Sequence, residues 1–191
     1  RFSSETADRY RRELGLDKRF VIGHVGRFHK AKNHTFLLNV FAKIADQRPD
    51  AVLLLIGDGE LREEIERKIK ELRITDRVIL TGNRDDIPQL MQAMDIFVFP
   101  SAWEGLPVTV VEAQASGLPC LISDRITTDV DLSALVKRLP IDSPDPWVDA
   151  VLNTSCKRSD VSSKIKQAGF DVKDTAKRLT DFYMSLGGNN D

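Results

Sequence analysis

The sequence predicts an α/β protein: a Rossmann-like parallel sheet with helices on both faces. Three observations carry that prediction. Apolar runs and amphipathic stretches alternate about five times along the chain, the pattern of strands joined by crossover helices. Two of the runs, AVLLLI (Ala51–Ile56) and IFVF (Ile96–Phe99), are almost unbroken, as a strand covered on both faces requires. Glycine, asparagine and proline fall between the runs, where a strand must turn into a helix.

Residues 1–19 read as a linker carrying a short helix, RYRRELGL (Arg9–Leu16), closed by Gly15. FVIGHV (Phe20–Val25) is a strand. Asn33 is placed to cap the next helix, where Phe36, Leu37, Val40, Phe41 and Ile44 recur at helical spacing and Pro49 ends the run. After the Ala51–Ile56 strand, Gly57-Asp58-Gly59 turns the chain. A helix then runs from Glu60 to about Arg73, with Leu61, Ile65, Ile69 and Leu72 on one stripe. RVIL (Arg77–Leu80) is a strand, Gly82 a turn, and DDIPQLMQAM (Asp85–Met94) a short helix with Pro88 in its first turn. The buried Ile96–Phe99 strand leads into SAWEGLPVTVVEAQASGLP (Ser101–Pro119), read as a helix with Pro107 at its first position and Gly117 as its stop. PCLIS (Pro119–Ser123) is a strand and ALVKRL (Ala134–Leu139) a weaker one. Beyond Pro140, PWVDAVL, VSSKIKQAG and VKDTAKRLTDFYMSL read as two or three helices, and GGNND (Gly187–Asp191) as a frayed tail.

The chain of 191 residues is 41% hydrophobic and 30% charged, the composition of a soluble globular domain. A net charge of -1 gives no footprint for nucleic acid. No apolar run approaches the roughly 20 residues that cross a bilayer. Two cysteines, Cys120 and Cys156, make neither a disulfide framework nor a metal-ligand spacing, which fits a reducing cytosol. The chain starts at Arg1 rather than Met and is expected to be a piece of a longer protein.

In open parallel sheets ligands bind beyond the carboxyl ends of the strands, so the loops after Val25, Ile56, Leu80, Phe99 and Ile122 are where candidate residues are sought. After Val25, Gly26 admits a close ligand, and Arg27 and Lys32 could grip a diphosphate at a helix N-terminus. A solvated basic loop is the other reading, and Lys30 is taken as a bystander. GDGELR, after Ile56, matches neither GxGxxG nor the P-loop and reads first as a turn. Asn83 and Arg84 could face a flat ring or belong to an Asx-type turn capping the helix at Asp85. Before the helix that follows Phe99 lies Glu104, and inside it Glu112. Its free N–H groups at Leu106, Val108 and Thr109 favour a phosphate. The eight residues between the acids would rise about 12 Å in a straight helix, so the two would touch different parts of an elongated ligand. A carboxylate accepts hydrogen bonds from vicinal hydroxyls, which points to a sugar–diphosphate–ribose; an ordinary solvated acid remains the other reading for Glu112. Of the rest, His24 reads as a satisfied core histidine, Asp95 as structural, and Cys120 as a small apolar residue.

GHVGRFHKAKNHTFLL, LLLIGDGELREEIE, VILTGNRDDIPQLMQAMDIFVFPSAWEGLPVTVVEAQASGLP and CLISD together resemble the C-terminal half of family 4 retaining glycosyltransferases, in wording like that of bacterial capsular and exopolysaccharide enzymes. The match is good from Phe20 to Ser123 and looser beyond. The resemblance implies one half of a GT-B fold, with residues 20–155 as a donor-binding domain and 156–191 as C-terminal helices and tail. It implies that Arg27 and Lys32 hold the diphosphate, with the backbone N–H groups of Leu106 and Val108, on the stretch that follows Gly105 and contains Pro107, completing the site. Glu104 would hold the donor sugar's hydroxyls and Glu112 the ribose, in an E-x7-E pair, with Asn83 and Arg84 near the base and Gly26 close to the phosphates. It further implies a nucleoside-diphosphate sugar, UDP before GDP, as donor; a lipid-linked or saccharide acceptor bound by an N-terminal domain outside this chain; no metal or other cofactor; and a cytoplasmic protein reaching the inner membrane face through that domain. A glycoside hydrolase using Glu104 and Glu112, a GT-B nucleotide-sugar epimerase and a non-catalytic nucleotide-binding module are the rival readings.

Overall fold

The computed structural model describes residues 2–187. The apolar runs become β1 (Phe20–Val25), β2 (Ala51–Ile56), β3 (Val78–Leu80), β4 (Ile96–Phe99), β5 (Cys120–Ser123) and β6 (Val136–Leu139). They form one sheet in the order β3-β2-β1-β4-β5-β6, every neighbouring pair parallel. Parallel neighbours need long crossovers. These are α2 (His34–Gln47), α3 (Arg62–Glu71), α4 (Ile87–Ala93) and α5 (Val108–Ala115), whereas β5 reaches β6 through a loop with only a short 3-10 turn. Before the sheet comes α1 (Ser4–Glu13); after it come α6 (Asp145–Asn153), α7 (Ser162–Gln167) and α8 (Val172–Gly187). From residue 188 on, the expected tail lies outside the described residues.

The unbroken apolar strands are unbroken because both faces are covered. Along β2, Ala51, Leu53 and Leu55 join Leu37, Phe41, Ile65 and Trp147 of α2, α3 and α6 on one side. Val52, Leu54 and Ile56 join Tyr10, Leu90, Val110 and Ile165 of α1, α4, α5 and α7 on the other. β1 and β4 divide in the same way, Ile22 and Val98 to the first core, Val21 and Phe97 to the second. The period of two thus separates two cores across one sheet.

Some local expectations are corrected. The first helix starts five residues earlier than Arg9, because the Ser3 side chain accepts a hydrogen bond from the Thr6 N–H. This helix packs against the rest of the fold: Ala7 and Tyr10 are buried, and the Tyr10 hydroxyl donates to Asp86 at 2.9 Å. The third helix is shorter than Glu60–Arg73. Asn33 holds the N-cap position of α2 but with φ 55°, a left-handed conformation from which its side chain makes no capping bond. Pro107 sits one residue before the first helical position, as the N-cap of α5, with no side-chain cap. Asp95 is structural as expected, accepting the Val21 N–H at 2.7 Å and pairing with Arg11 at 2.8 Å.

Candidate functional site

From β1 the chain moves outward to β2 and β3, then returns to place β4 on the other side of β1. The loops leaving β1 and β4 therefore part at a topological switch point and leave a crevice between them. Backbone hydrogen bonds fix its walls. The Ala102 N–H, after β4, donates to the Ala31 carbonyl at 2.8 Å, joining the two loops. The Phe28 N–H donates to the Asp58 carbonyl at 2.9 Å and the Leu61 N–H to the Phe28 carbonyl at 3.1 Å, joining the β1 loop to the β2 loop.

In the crevice Lys32 and Glu104 meet, Nζ to Oε1 at 2.6 Å, with side-chain exposures of 17% and 14%. The Lys32 ammonium also lies 4.8 Å from the Phe99 ring centroid. Gly26 leaves room for that lysine: a Cβ would stand 3.0 Å from Lys32 Cε and 3.2 Å from His24 Nε2, so the side chains would have to shift. Arg27, Asp58, Gly59 and Asn83, on the loops that follow β1, β2 and β3, line an open cleft of about 520 Å³. Arg27 is highly exposed and faces Glu60 at 3.4 Å. The Glu60 carboxyl is held below its usual range, first by its own backbone amide and then by Arg27 and His29. α5 begins at the crevice with the unsatisfied N–H groups that every helix start carries. Glu112 lies on that helix, half-buried, and its carboxylate has no partner among the described residues; burial raises its pKa above the usual value. Gly105 and Leu106 are exposed on the loop before it, with Trp103 57% exposed on the rim.

Beneath the site lies a buried polar group that the sequence reading missed. His24 is fully buried; its Nδ1 hydrogen-bonds the Val98 carbonyl at 2.9 Å, but Nε2 has no partner, so the expected satisfied histidine is only half satisfied. His34 stands edge-on to it at 4.9 Å between ring centroids, with both nitrogens unpartnered, and the Ser101 hydroxyl is likewise buried and unpartnered. Burial holds both rings neutral, lowering the pKa of His24 to about 4 and that of His34 to about 2, with the Lys32 charge adding to each effect.

The family model described as glycosyl transferases group 1 matches residues 6–134. The chain belongs to the group 1 glycosyltransferase family. A relative from Bacillus subtilis (strain 168), the putative glycosyltransferase EpsF, is 38% identical over 95% of this chain and 49% of its own length. An Escherichia coli enzyme named UDP-Gal:alpha-D-GlcNAc-diphosphoundecaprenol alpha-1,3-galactosyltransferase is 30% identical over 91% of this chain and 48% of its own. The chain thus spans about half the length of the curated relatives it matches. Among solved structures, Anabaena Alr3699/HepE in complex with UDP-glucose superposes with a TM-score of 0.80 at 24% identity, over 96% of this chain and 53% of that one. At that identity the likeness is one of fold: a six-stranded parallel sheet with helices on both faces, of the kind that makes up one half of a GT-B fold.

Within this group 1 domain the structure brings together the residues of three separate motifs. Lys32 and Glu104 touch across 72 positions of sequence. Gly26 backs the lysine stem, and Arg27 and Asn83 share the open cleft. Leu106, Pro107 and Val108 lead into the start of α5, with Glu112 one turn further on. Arg84 is drawn away: it donates to both oxygens of Asp86, at 2.8 and 2.6 Å, in a pair that also holds the Tyr10 hydroxyl. That pairing, first the Arg84 hydrogen bond and then Tyr10, pulls the Asp86 pKa down to about 2. Glu60, Phe99 and the histidine layer were missed because contacts between distant loops leave no local spacing signal; only the i,i+2 spacing of Arg84 and Asp86 was visible in advance.

Proposed function

We propose that this chain is the donor half of a glycosyltransferase that moves a sugar from a nucleoside-diphosphate sugar, a UDP-sugar first, to an acceptor hydroxyl with retention of configuration. The observation that carries the reading is the meeting of Lys32 and Glu104 at the switch point, beside the open N-terminus of α5. A cation and helix N–H groups favour phosphate there; an acid favours hydroxyls. Arg27 and Lys32 take the diphosphate together with the N–H groups from Leu106 to Val108, and their charge, rather than a metal ion, offsets the negative charge developing on the leaving group. Glu104 holds the donor sugar. Glu112 holds the ribose, and its half-buried, unpartnered carboxylate is what supports that role. Asn83, in the cleft with Arg27, lies toward the base, and Arg84 reaches it only by leaving Asp86.

Support for UDP comes from the fold neighbour solved with UDP-glucose, and for a lipid-linked acceptor in surface polysaccharide synthesis from the E. coli relative's diphosphoundecaprenol substrate. The acceptor site belongs in this reading to the half of the relatives' length that this chain lacks, and cytoplasmic work at the inner membrane face would depend on that half. Among the described residues no helix is long and apolar enough to cross a membrane. The hydrolase reading is weakened by the Lys32–Glu104 pair, since an acid neutralised by lysine is poorly placed to donate a proton. Calorimetric titration with UDP and GDP tests the proposal. UDP is expected to bind, Lys32→Ala to weaken it about tenfold, and Lys30→Ala to leave it within about twofold. Equal losses in the two variants would reject the assignment of Lys32. Incubation of this chain alone with UDP-sugar and acceptor is expected to give no transfer.

A further inference from the structure

Lys32 and Glu104, assigned above to different parts of the donor, are bonded to each other in the structure, Nζ to Oε1 at 2.6 Å. The Lys32 stem packs against Gly26, where a Cβ would be 3.0–3.1 Å from Cε and Cδ, and its ammonium sits over the Phe99 ring. Glu104 is only 14% exposed, but it lies on a loop between the exposed Trp103 and Gly105, around whose missing Cβ no atom lies within 4 Å. An anion arriving at Lys32 therefore meets a cation already paired with a carboxylate.

We propose that the Lys32–Glu104 pair is a latch that the donor's diphosphate opens, so that Glu104 discriminates an intact nucleotide sugar from the spent nucleotide. This rests on the donor reading above and deepens it. The diphosphate takes the place of the Glu104 carboxylate on the ammonium, and the released carboxylate turns outward. With a nucleotide sugar bound, hydroxyls of the sugar donate to it and restore its hydrogen bonds. With a nucleoside diphosphate alone, nothing replaces the lost ion pair, and the charged carboxylate is left beside the phosphates. Binding of the product is thereby disfavoured relative to the substrate, which hastens its release. No covalent step is involved.

The test compares UDP and UDP-glucose binding to the wild-type chain, Glu104→Gln and Glu104→Asp by calorimetry, with thermal melting to establish that each variant is folded. Glu104→Gln is expected to bind UDP about threefold or more tightly than the wild type, because the competing charge is gone, and to lose the preference for UDP-glucose. Glu104→Asp, with its charge on a stem one methylene shorter, is expected to fall between the two. Weaker UDP binding in Glu104→Gln would show that Glu104 braces Lys32 for the diphosphate and would overturn the latch. Unchanged UDP binding with loss of UDP-glucose alone would reduce Glu104 to a sugar contact and overturn it equally. Failure of the wild type to bind either ligand would instead reject the donor reading itself. A variant that does not melt cooperatively is replaced by the other, whose tighter or weaker UDP binding decides in the same way.

Discussion

Gly57, at the end of β2, shows how narrow the margins are around the site. Its φ is 136°, a region that residues with a Cβ rarely adopt, and a Cβ there would come 2.1 Å from the Gly26 carbonyl oxygen. Its N–H donates to the Gly82 carbonyl at 3.0 Å, so it ties the loop after β2 to the loop after β3. Gly57→Ala is expected to destabilise the chain by about 3 kcal/mol or more, by backbone strain together with steric overlap. Urea unfolding would measure it, and a loss under about 1 kcal/mol would mean that the loops rearrange with ease. The glycine was visible in the sequence as a turn, but the reason for it was not, because the atom it must avoid belongs to the end of another strand.

At the scale of elements, Arg158 joins two helix ends. Its guanidinium donates to the Ser116 carbonyl at the end of α5 at 2.6 Å, and to the Met91, Gln92 and Met94 carbonyls at the end of α4 at 3.0, 2.8 and 2.6 Å. Carbonyls left over at a helix C-terminus carry partial negative charge, and a half-buried cation between two such ends satisfies both. Burial nonetheless lowers its pKa to about 10, so it stays protonated at neutral pH. Arg158→Leu strands those carbonyls and is expected to cost about 2–4 kcal/mol in urea unfolding. Arg158→Lys should recover only part of that loss, because an ammonium cannot reproduce the planar fork. The sequence located α4 and α5, with Gly117 as a stop, but gave no sign that a residue 42 positions after Ser116 closes them. Periodicity reports which face of a helix is apolar; it does not report what caps its end. For the same reason Asn33 and Pro107 were placed one conformation or one residue away from where they stand.

At the scale of the whole molecule, the buried histidine layer couples stability to pH. An unfolded chain takes up a proton on each ring near pH 6.5, whereas the folded chain does so only near pH 4 for His24 and near pH 2 for His34. Below pH 6.5 the unfolded state therefore holds more protons, and stability is lost as pH falls from 6.5 toward 4. For His24 the loss amounts to about 3 kcal/mol by pH 4. Melting temperature is expected to drop between pH 7 and pH 4.5, and His34→Gln to flatten that drop by removing one of the two sites. An unchanged slope in the variant would mean that the rings are hydrated and titrate normally. The Lys32 charge adds to both shifts, so the same layer is electrostatically coupled to the crevice above it.

The sequence by itself determined the sheet. Strand positions, their burial on both faces and the alternation with helices are all local, because hydrophobic pattern and turn residues act over a few positions. It also named Gly26, Arg27, Lys32, Glu104 and Glu112 as residues of apt chemistry near the carboxyl ends of β1 and β4. Tertiary structure alone decided their partners: that Lys32 bonds Glu104, that Arg84 is held by Asp86, that Glu112 is half-buried without a partner, and that two neutral histidines lie beneath them. Strand order places the β1 and β4 loops side by side, and no local pattern encodes a contact between residues so far apart in the chain.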